Sequence, residues 1–201
     1  MIVETPGQPV ILVGYKRPSQ YDKDDIALDL IQILLAQGPA GRLITELVEE
    51  KRIAQQARAT ATNPDGRFTN LFVFLLVPAP GHTVEENQRA LEDLLQRFKS
   101  TTLDAQSLAR AKALGRANVI RGMLSNRDLA LQLAHFSAEY GDWRKLFTLL
   151  DNLNQVTAED LQRAASRCFV AAGRTTAYTV LPGQSNAPPP KPTERKAGGP
   201  Q

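Results

Sequence analysis

The sequence has one cysteine, two histidines, one tryptophan and two methionines in 201 residues. A single thiol, Cys168, forms no internal disulfide, which excludes the disulfide-stapled class of small secreted domain. No apolar run reaches the roughly 20 residues that a membrane-spanning helix needs, since residues 26–36 are interrupted by Asp29 and Gln32. Residues 1–6 have no basic segment followed by an apolar core, which predicts no secretory signal in this chain.

The part of the chain expected to fold carries little net positive charge. The formal net charge is +3, but residues 184–201 hold three cations against one anion, which leaves only +1 for the rest. Nucleic-acid binders concentrate basic residues on a folded face, where they neutralise phosphates. The sequence therefore predicts no nucleic-acid partner.

The last 18 residues, 184–201, contain five prolines and no large aliphatic or aromatic residue. Such a segment buries too little apolar surface to offset its ordering entropy, so it is predicted to be a disordered tail. Residues 188–192 could alternatively form a short polyproline helix that docks on an aromatic groove. The remaining residues, 1–183, are predicted to form one domain.

Hydrophobic periodicity predicts an α+β fold with an antiparallel sheet covered by helices on one face. A first helix, with Asp22 as its N-cap, follows a short buried strand, and Gly38 ends it. A second helix begins near Gly41, and later helices open at Thr83 and Thr157 with the pattern of a capping box. The predicted strands are residues 10–15, 53–62, 68–77 and 175–181, with a hairpin turn at 63–66.

Residues that could carry catalysis are few. His82 and His135 are 53 residues apart, and neither belongs to an H-x-x-E-H or H-E-x-x-H motif. Cys168 lies on the apolar stripe of a helix, which is typical of a buried structural thiol. No serine-nucleophile elbow, P-loop or dinucleotide fingerprint occurs. The sequence predicts no catalytic residue and no metal or cofactor site in this chain.

A family resemblance comes from one helix-to-strand passage. The passage begins with Gly41-Arg42-Leu43 and continues at residues 47–54 with Leu-Val-Glu-Glu-Lys-Arg-Ile-Ala. It resembles the pattern S/G-R-L-x-x-x-L-R-E-x-x-G-L-A-Y of the insulinase (pitrilysin) family of zinc metallopeptidases. The pattern belongs to the second, non-catalytic domain of that family. Weaker similarities in the same order, including residues 65–68, 78–86, 103–112 and 156–161, extend the resemblance over residues 5–183.

The resemblance implies a non-catalytic partner domain. In that family a catalytic domain with H-x-x-E-H holds the zinc, and the homologous partner domain completes a chamber that encloses an unfolded peptide. This chain would then bind no zinc itself. Its partners would be a catalytic domain and a peptide substrate, and it would support proteolysis without performing it.

The sequence departs from the family at the two positions expected to contact substrate. Active members contribute an arginine and a tyrosine, seven residues apart, to substrate near the zinc, and here those positions hold Val48 and Gln55. Valine offers no charge-assisted hydrogen bond, and Gln55 offers an amide in place of a phenol. Gln55, with the nearby cations Arg42 and Arg58, is the candidate set for substrate binding.

Two alternatives stay open from the sequence. The departures at Val48 and Gln55 favour a degenerate peptidase-like subunit with a structural or interaction role and no part in catalysis. Localisation is also open, since a parent protein in the periplasm or outside the cell and one in the cytoplasm both agree with this sequence.

Overall fold

The structure is a computed structural model that describes residues 1–64, 68–180 and 182. A five-stranded sheet has the order β1-β5-β2-β4-β3. Its strands are β1 (Ile2–Glu4), β2 (Ile11–Arg17), β3 (Ala54–Asn63), β4 (Asn70–Pro78) and β5 (Arg174–Val180). The helices are α1 (Asp25–Ala36), α2 (Val84–Ser100), α3 (Ala105–Arg121), α4 (Asn126–Tyr140), α5 (Lys145–Gln155) and α6 (Ala158–Cys168).

The predicted fold class is confirmed. In β2 and β4, alternate side chains are buried, and these residues contact helices α2 and α6. Ile11, Val13, Phe72 and Phe74 on this face have no exposed surface. The other face carries half-exposed side chains, as a sheet covered on one side requires. β4 lies between β2 and β3.

One strand differs from the prediction of an antiparallel sheet. β1 pairs in parallel with β5, at the edge opposite β3, so the sheet is mixed. A strand of three residues contains too little alternation to be recognised from the sequence. The other strand pairs, β2–β5, β2–β4 and the hairpin β3–β4, are antiparallel as expected.

The predicted capping residues agree with the observed helix starts, except at the N-cap of α1. Thr157 and Asp160 form the predicted capping box at α6. The N-cap of α1 is Asp24, whereas Asp22 was predicted. Asp22 instead accepts a hydrogen bond from the Asp24 backbone N–H at 2.9 Å, so it stabilises the turn that precedes the helix.

The second predicted helix is a π-helix, Ile44–Glu50, a form often found at functional sites. Its C-cap is Lys51, and the next residue, Arg52, has φ = 54°. This left-handed conformation favours glycine, the residue that the insulinase-family pattern has at this position. The Ile53 N–H then donates to the Leu47 carbonyl at 3.0 Å, which sets the direction in which β3 leaves the helix.

A buried ion cluster joins β2, α1 and β3. The Arg17 side chain is fully buried, pairs with Asp25, and donates to the Ala61 carbonyl at 2.6 Å. A second carboxylate, Asp29, lies 3.2 Å from the same guanidinium. Burial, reinforced by the nearby Asp29 charge, raises the pKa of Asp25 to about 7, although Arg17 opposes the shift.

Two predicted features lie outside the described residues. The turn of the β3–β4 hairpin includes residues 65–67, and the predicted disordered tail comprises residues 184–201. The domain boundary at 183 is therefore still a prediction.

Candidate functional site

A cavity of about 470 Å³ runs along β3 at the edge of the sheet. It exists because the strand presents small side chains to the helix layer at Ala57 and Ala59, which leave space beside the π-helix. We refer to it as the β3 groove. Its lining residues are Ala36, Ile44, Val48, Gln55, Gln56, Ala57, Arg58, Ala59 and Thr60.

The β3 groove brings together Val48 and Gln55, the two expected substrate-contact positions at which the sequence differs from the insulinase pattern. Val48, on the π-helix, and Gln55, at the start of β3, both line it. Gln55 is exposed, and its side-chain oxygen accepts a hydrogen bond from the Gln8 amide at 2.7 Å. A register shift in the β3–β4 ladder between Ala54 and Gln56 leaves both glutamines exposed.

Arg58 gives the β3 groove its only cation among the described lining residues. It lies opposite Leu75 of β4, on the face of the sheet that none of the described helices covers. Its side chain is exposed and makes no hydrogen bond or ion pair with any described residue. An unpaired guanidinium at a groove is suited to bind a carboxylate.

Arg42 is not part of this groove. Its guanidinium lies over the ring of Phe98, 5.4 Å from the centroid, in a cation–π contact. It lines a separate cavity of about 500 Å³ together with Glu46 and Arg97, which form an ion pair. The structure thus separates Arg42 from Gln55 and Arg58, which the sequence grouped by proximity along the chain.

The uncovered face of the sheet is apolar at its centre. Leu12, on β2, is 43% exposed, and it lies between Leu75 of β4 and Ala177 of β5. Leu71, Val73 and Val77 of β4 are half-buried on the same face. Leu75 of this surface is the cross-strand neighbour of Arg58, which also lines the β3 groove.

The described residues do not fit a zinc site. Zinc takes three or more nitrogen, sulfur or oxygen ligands. Within residues 1–64 and 68–180, no group of three or more His, Cys, Asp or Glu side chains is placed to hold a metal. His82 Nδ1 lies 2.8 Å from Glu86 Oε2, and the His135 ring packs against Phe136.

The thiol of Cys168 is placed as a structural residue. It is 2% exposed, its Sγ lies 3.6 Å from the Lys16 carbonyl oxygen, and burial raises its pKa to about 12. A thiol with such a pKa is almost entirely protonated at neutral pH and is a poor nucleophile.

A third cavity, of about 580 Å³, was not expected from the sequence. It lies between the start of α1 and helices α4 and α5, and its lining includes Asp25, Tyr140 and Arg163. These residues are distant along the chain, so no local pattern indicated it.

Among the described helices, none is long and apolar enough to cross a membrane.

The sequence profile of the Peptidase M16 inactive domain matches residues 1–114, more than half of the chain. The chain belongs to this family. The expected resemblance to the non-catalytic domain of zinc metallopeptidases is therefore confirmed. Zinc protease PqqE of Helicobacter pylori is 28% identical over 168 residues, which are 84% of this chain and 37% of that protein.

Solved structures of relatives share the fold of this M16 inactive domain. A protease from Helicobacter pylori superposes with a TM-score of 0.82 at 27% identity, over 89% of this chain and 43% of the other. An inactive peptidase domain from Bordetella parapertussis superposes with a TM-score of 0.75 at 24% identity, over 94% and 98%. The chain thus spans less than half of the Helicobacter pylori protein and nearly all of the Bordetella domain.

Proposed function

We propose that this M16 inactive domain is the partner half of a zinc metallopeptidase and holds peptide substrate against a separate catalytic domain. The catalytic domain would carry H-x-x-E-H and zinc, which activates water for peptide hydrolysis. This chain would supply part of the chamber wall and contacts to the peptide. The observation that carries the proposal is that Val48, Gln55 and Arg58 line one groove.

The β3 groove supports this role through its position and chemistry. Residues 48 and 55 correspond to the positions from which active relatives are expected to contact substrate. Gln55 retains an amide that can donate to a peptide carbonyl, and exposed Arg58 offers a charged donor beside it. Polar groups around an apolar groove provide both orientation and burial for a ligand.

The uncovered sheet face supports the role of chamber wall. Its centre, formed by Leu12, Val73 and Leu75, is half-exposed and apolar. Apolar side chains on an uncovered sheet face are typical of surfaces that contact another chain or domain. In this proposal the face is turned toward the enclosed peptide and the catalytic domain.

Reconstitution tests the proposal. We would mix the full chain with a catalytic-domain protein of the same source that carries H-x-x-E-H, and measure cleavage of a fluorogenic peptide. The expected result is that cleavage by the catalytic protein rises at least about tenfold when this chain is added. Arg58→Ala and Gln55→Ala should each lower kcat/KM, whereas Arg42→Ala, in the separate cavity, should not.

A second candidate function is favoured by one observation. Val48 replaces the arginine of active relatives, and its side chain cannot form a hydrogen bond with substrate. This favours a degenerate peptidase-like subunit that assembles with a partner without supporting cleavage. The same mixture separates the two functions, because a complex that forms without any gain in cleavage supports the second and contradicts the first.

A further inference from the structure

Asn87, in the first turn of α2, is a polar side chain with no exposed surface. Its side-chain nitrogen donates to the Ile53 carbonyl at 2.9 Å and to the Thr83 carbonyl at 3.0 Å. Its Oδ1 has no hydrogen-bond partner among the described residues. An unpaired buried oxygen destabilises a fold. The asparagine is therefore explained by what its nitrogen holds in place.

The group that Asn87 holds is the first peptide carbonyl after the reversal at Arg52. The same carbonyl of Ile53 also accepts from the Ala79 N–H at 2.9 Å. The Ile53 N–H donates to the Leu47 carbonyl at 3.0 Å. Ile53 is thus tied to the π-helix, to the residue that follows β4, and to α2.

These bonds lie between the two substrate-contact positions of the β3 groove. Val48 is one residue after the acceptor of the Ile53 N–H, and Gln55 is two residues after Ile53. The register of the β3–β4 ladder shifts between Ala54 and Gln56. Regular strand pairing is therefore interrupted at Gln55, and the bonds of Ile53 fix the backbone that leads to it.

We propose that Asn87 is a positioning residue for the β3 groove. Its side-chain nitrogen fixes the Ile53 peptide and, through it, the direction in which Gln55 is presented to a ligand. Asn87 is not among the described residues that line the groove, so it acts through the reversal. The expected effect on cleavage rests on the proposed function, in which Gln55 contacts the peptide.

The contribution of Asn87 to position can be separated from its contribution to stability. Without its amide, the Ile53 carbonyl keeps the Ala79 N–H, and the Thr83 carbonyl keeps the Asn87 backbone N–H at 3.3 Å. No acceptor is left unpaired, and the unpaired Oδ1 is removed. Removal of a polar group that leaves its partners satisfied costs little. The fold should therefore keep its stability while the reversal loses one of its ties.

Hydrogen exchange of the full, 15N-labelled chain, followed by NMR, tests this separation. Asn87→Leu and Asn87→Ala both remove the amide, and the smaller alanine serves if leucine does not fit the site. At least one variant should keep its urea midpoint within about 0.5 M of the parent chain. In that variant the Ile53 and Ala79 amides should exchange at least about tenfold faster relative to the slowest core amides.

Asn70→Leu is the matched control. Asn70 is 5% exposed, and its Oδ1 also has no partner among the described residues, but it lies at the opposite end of β4 from Ala79. Relative exchange at Ile53 and Ala79 should be unchanged in this variant. The same acceleration in the Asn70 variant, or none in the Asn87 variants, would overturn the inference. So would a large loss of stability in both Asn87 variants, because Asn87 would then serve the whole fold.

Cleavage in the reconstituted mixture gives a readout that a merely structural role would not produce. The stable Asn87 variant should lower kcat/KM at least about threefold when Gln55 is present. Combined with Gln55→Ala, it should lower kcat/KM by less than about 1.5-fold further, because Asn87 acts through Gln55. Equal losses with and without Gln55 would contradict a positioning role.

These outcomes are distinct from failure of the proposed function. If the chain raises cleavage but the Asn87 variants exchange like the parent chain, the proposed function holds and the positioning role is wrong. If the chain does not raise cleavage, the proposed function is wrong, and hydrogen exchange alone decides whether Asn87 fixes the reversal.

Discussion

Val48 lies on a π-helix and Gln55 on an edge strand, and both line the same groove. A sharp reversal of the chain separates them. Their meeting depends on the residue between them, Arg52, whose φ of 54° redirects the chain into β3. In this M16 inactive domain, the helix-to-strand reversal is therefore present while Val48, Arg52 and Gln55 differ from the insulinase-family pattern. The groove that results is lined mainly by apolar and small residues.

Arg52→Gly is expected to stabilise the fold by about 0.5–1 kcal/mol, because glycine adopts a left-handed φ without the steric cost that an arginine carries. The Arg52 side chain is exposed and makes only a long contact, 3.4 Å, with the Glu49 carbonyl, so little is lost with it. Chemical denaturation measures the change in the free energy of unfolding.

Two controls separate backbone strain from side-chain effects at this turn. Arg52→Ala removes the same side chain but keeps the strain, so it should give no gain. Lys51→Gly, at a residue with φ = −78°, should destabilise the domain by up to about 1 kcal/mol. A gain from Arg52→Ala equal to that from Arg52→Gly would contradict the assignment of strain.

The domain is expected to become more stable as the pH falls from 8 to 5.5, because of Asp25. Its pKa is about 7 in the folded state and about 3.9 in unfolded chains, so the folded state binds the proton more tightly. Stability from this group is therefore present at low pH and is lost as the pH rises through 7. The expected gain on acidification is roughly 1–3 kcal/mol.

Asp25→Asn should remove most of this pH dependence, because asparagine does not titrate. The measurement is the free energy of unfolding by urea at several pH values. Asp142→Asn is a suitable control: this carboxylate is exposed, and a hydrogen bond from the Arg144 backbone lowers its pKa, so it does not titrate in this range. An unchanged pH slope in the Asp25 variant would show that another group causes the dependence.

Cys168 should resist thiol reagents in the native protein. Its thiol is 2% exposed and has a pKa of about 12, so the thiolate is both rare and inaccessible at pH 8. Labelling with a chromogenic disulfide is expected to be at least about 100-fold slower in buffer than in concentrated guanidinium. Complete native labelling within seconds would instead indicate an accessible, reactive thiol.

The purified chain should bind no stoichiometric zinc. Its described histidines, cysteine and carboxylates are not grouped as a metal site, and His82 is engaged with Glu86. Elemental analysis after dialysis is expected to give far less than one zinc per chain, unchanged by His82→Ala. A ratio near one zinc per chain that the His82 variant abolishes would contradict this prediction.

Local patterns in the sequence predicted the strands and helices well where the periodicity was long. The alternation from Ala57 to Ala61 identified β3, and Thr157 with Asp160 identified the start of α6. β1 was missed because three residues carry too little periodicity. The sequence also grouped Arg42 with Gln55 and Arg58, although the structure turns it toward Phe98 on a different surface.

The sequence by itself determined the fold class and the family resemblance. These conclusions depend on residue types and on spacing along the chain, which are local properties. Only the tertiary structure decided that Val48 and Arg58 line one groove, that Arg42 lies elsewhere, and that β3 is an edge strand of the sheet. These relationships depend on strand order and on how the helices pack, which contacts between elements distant in sequence set.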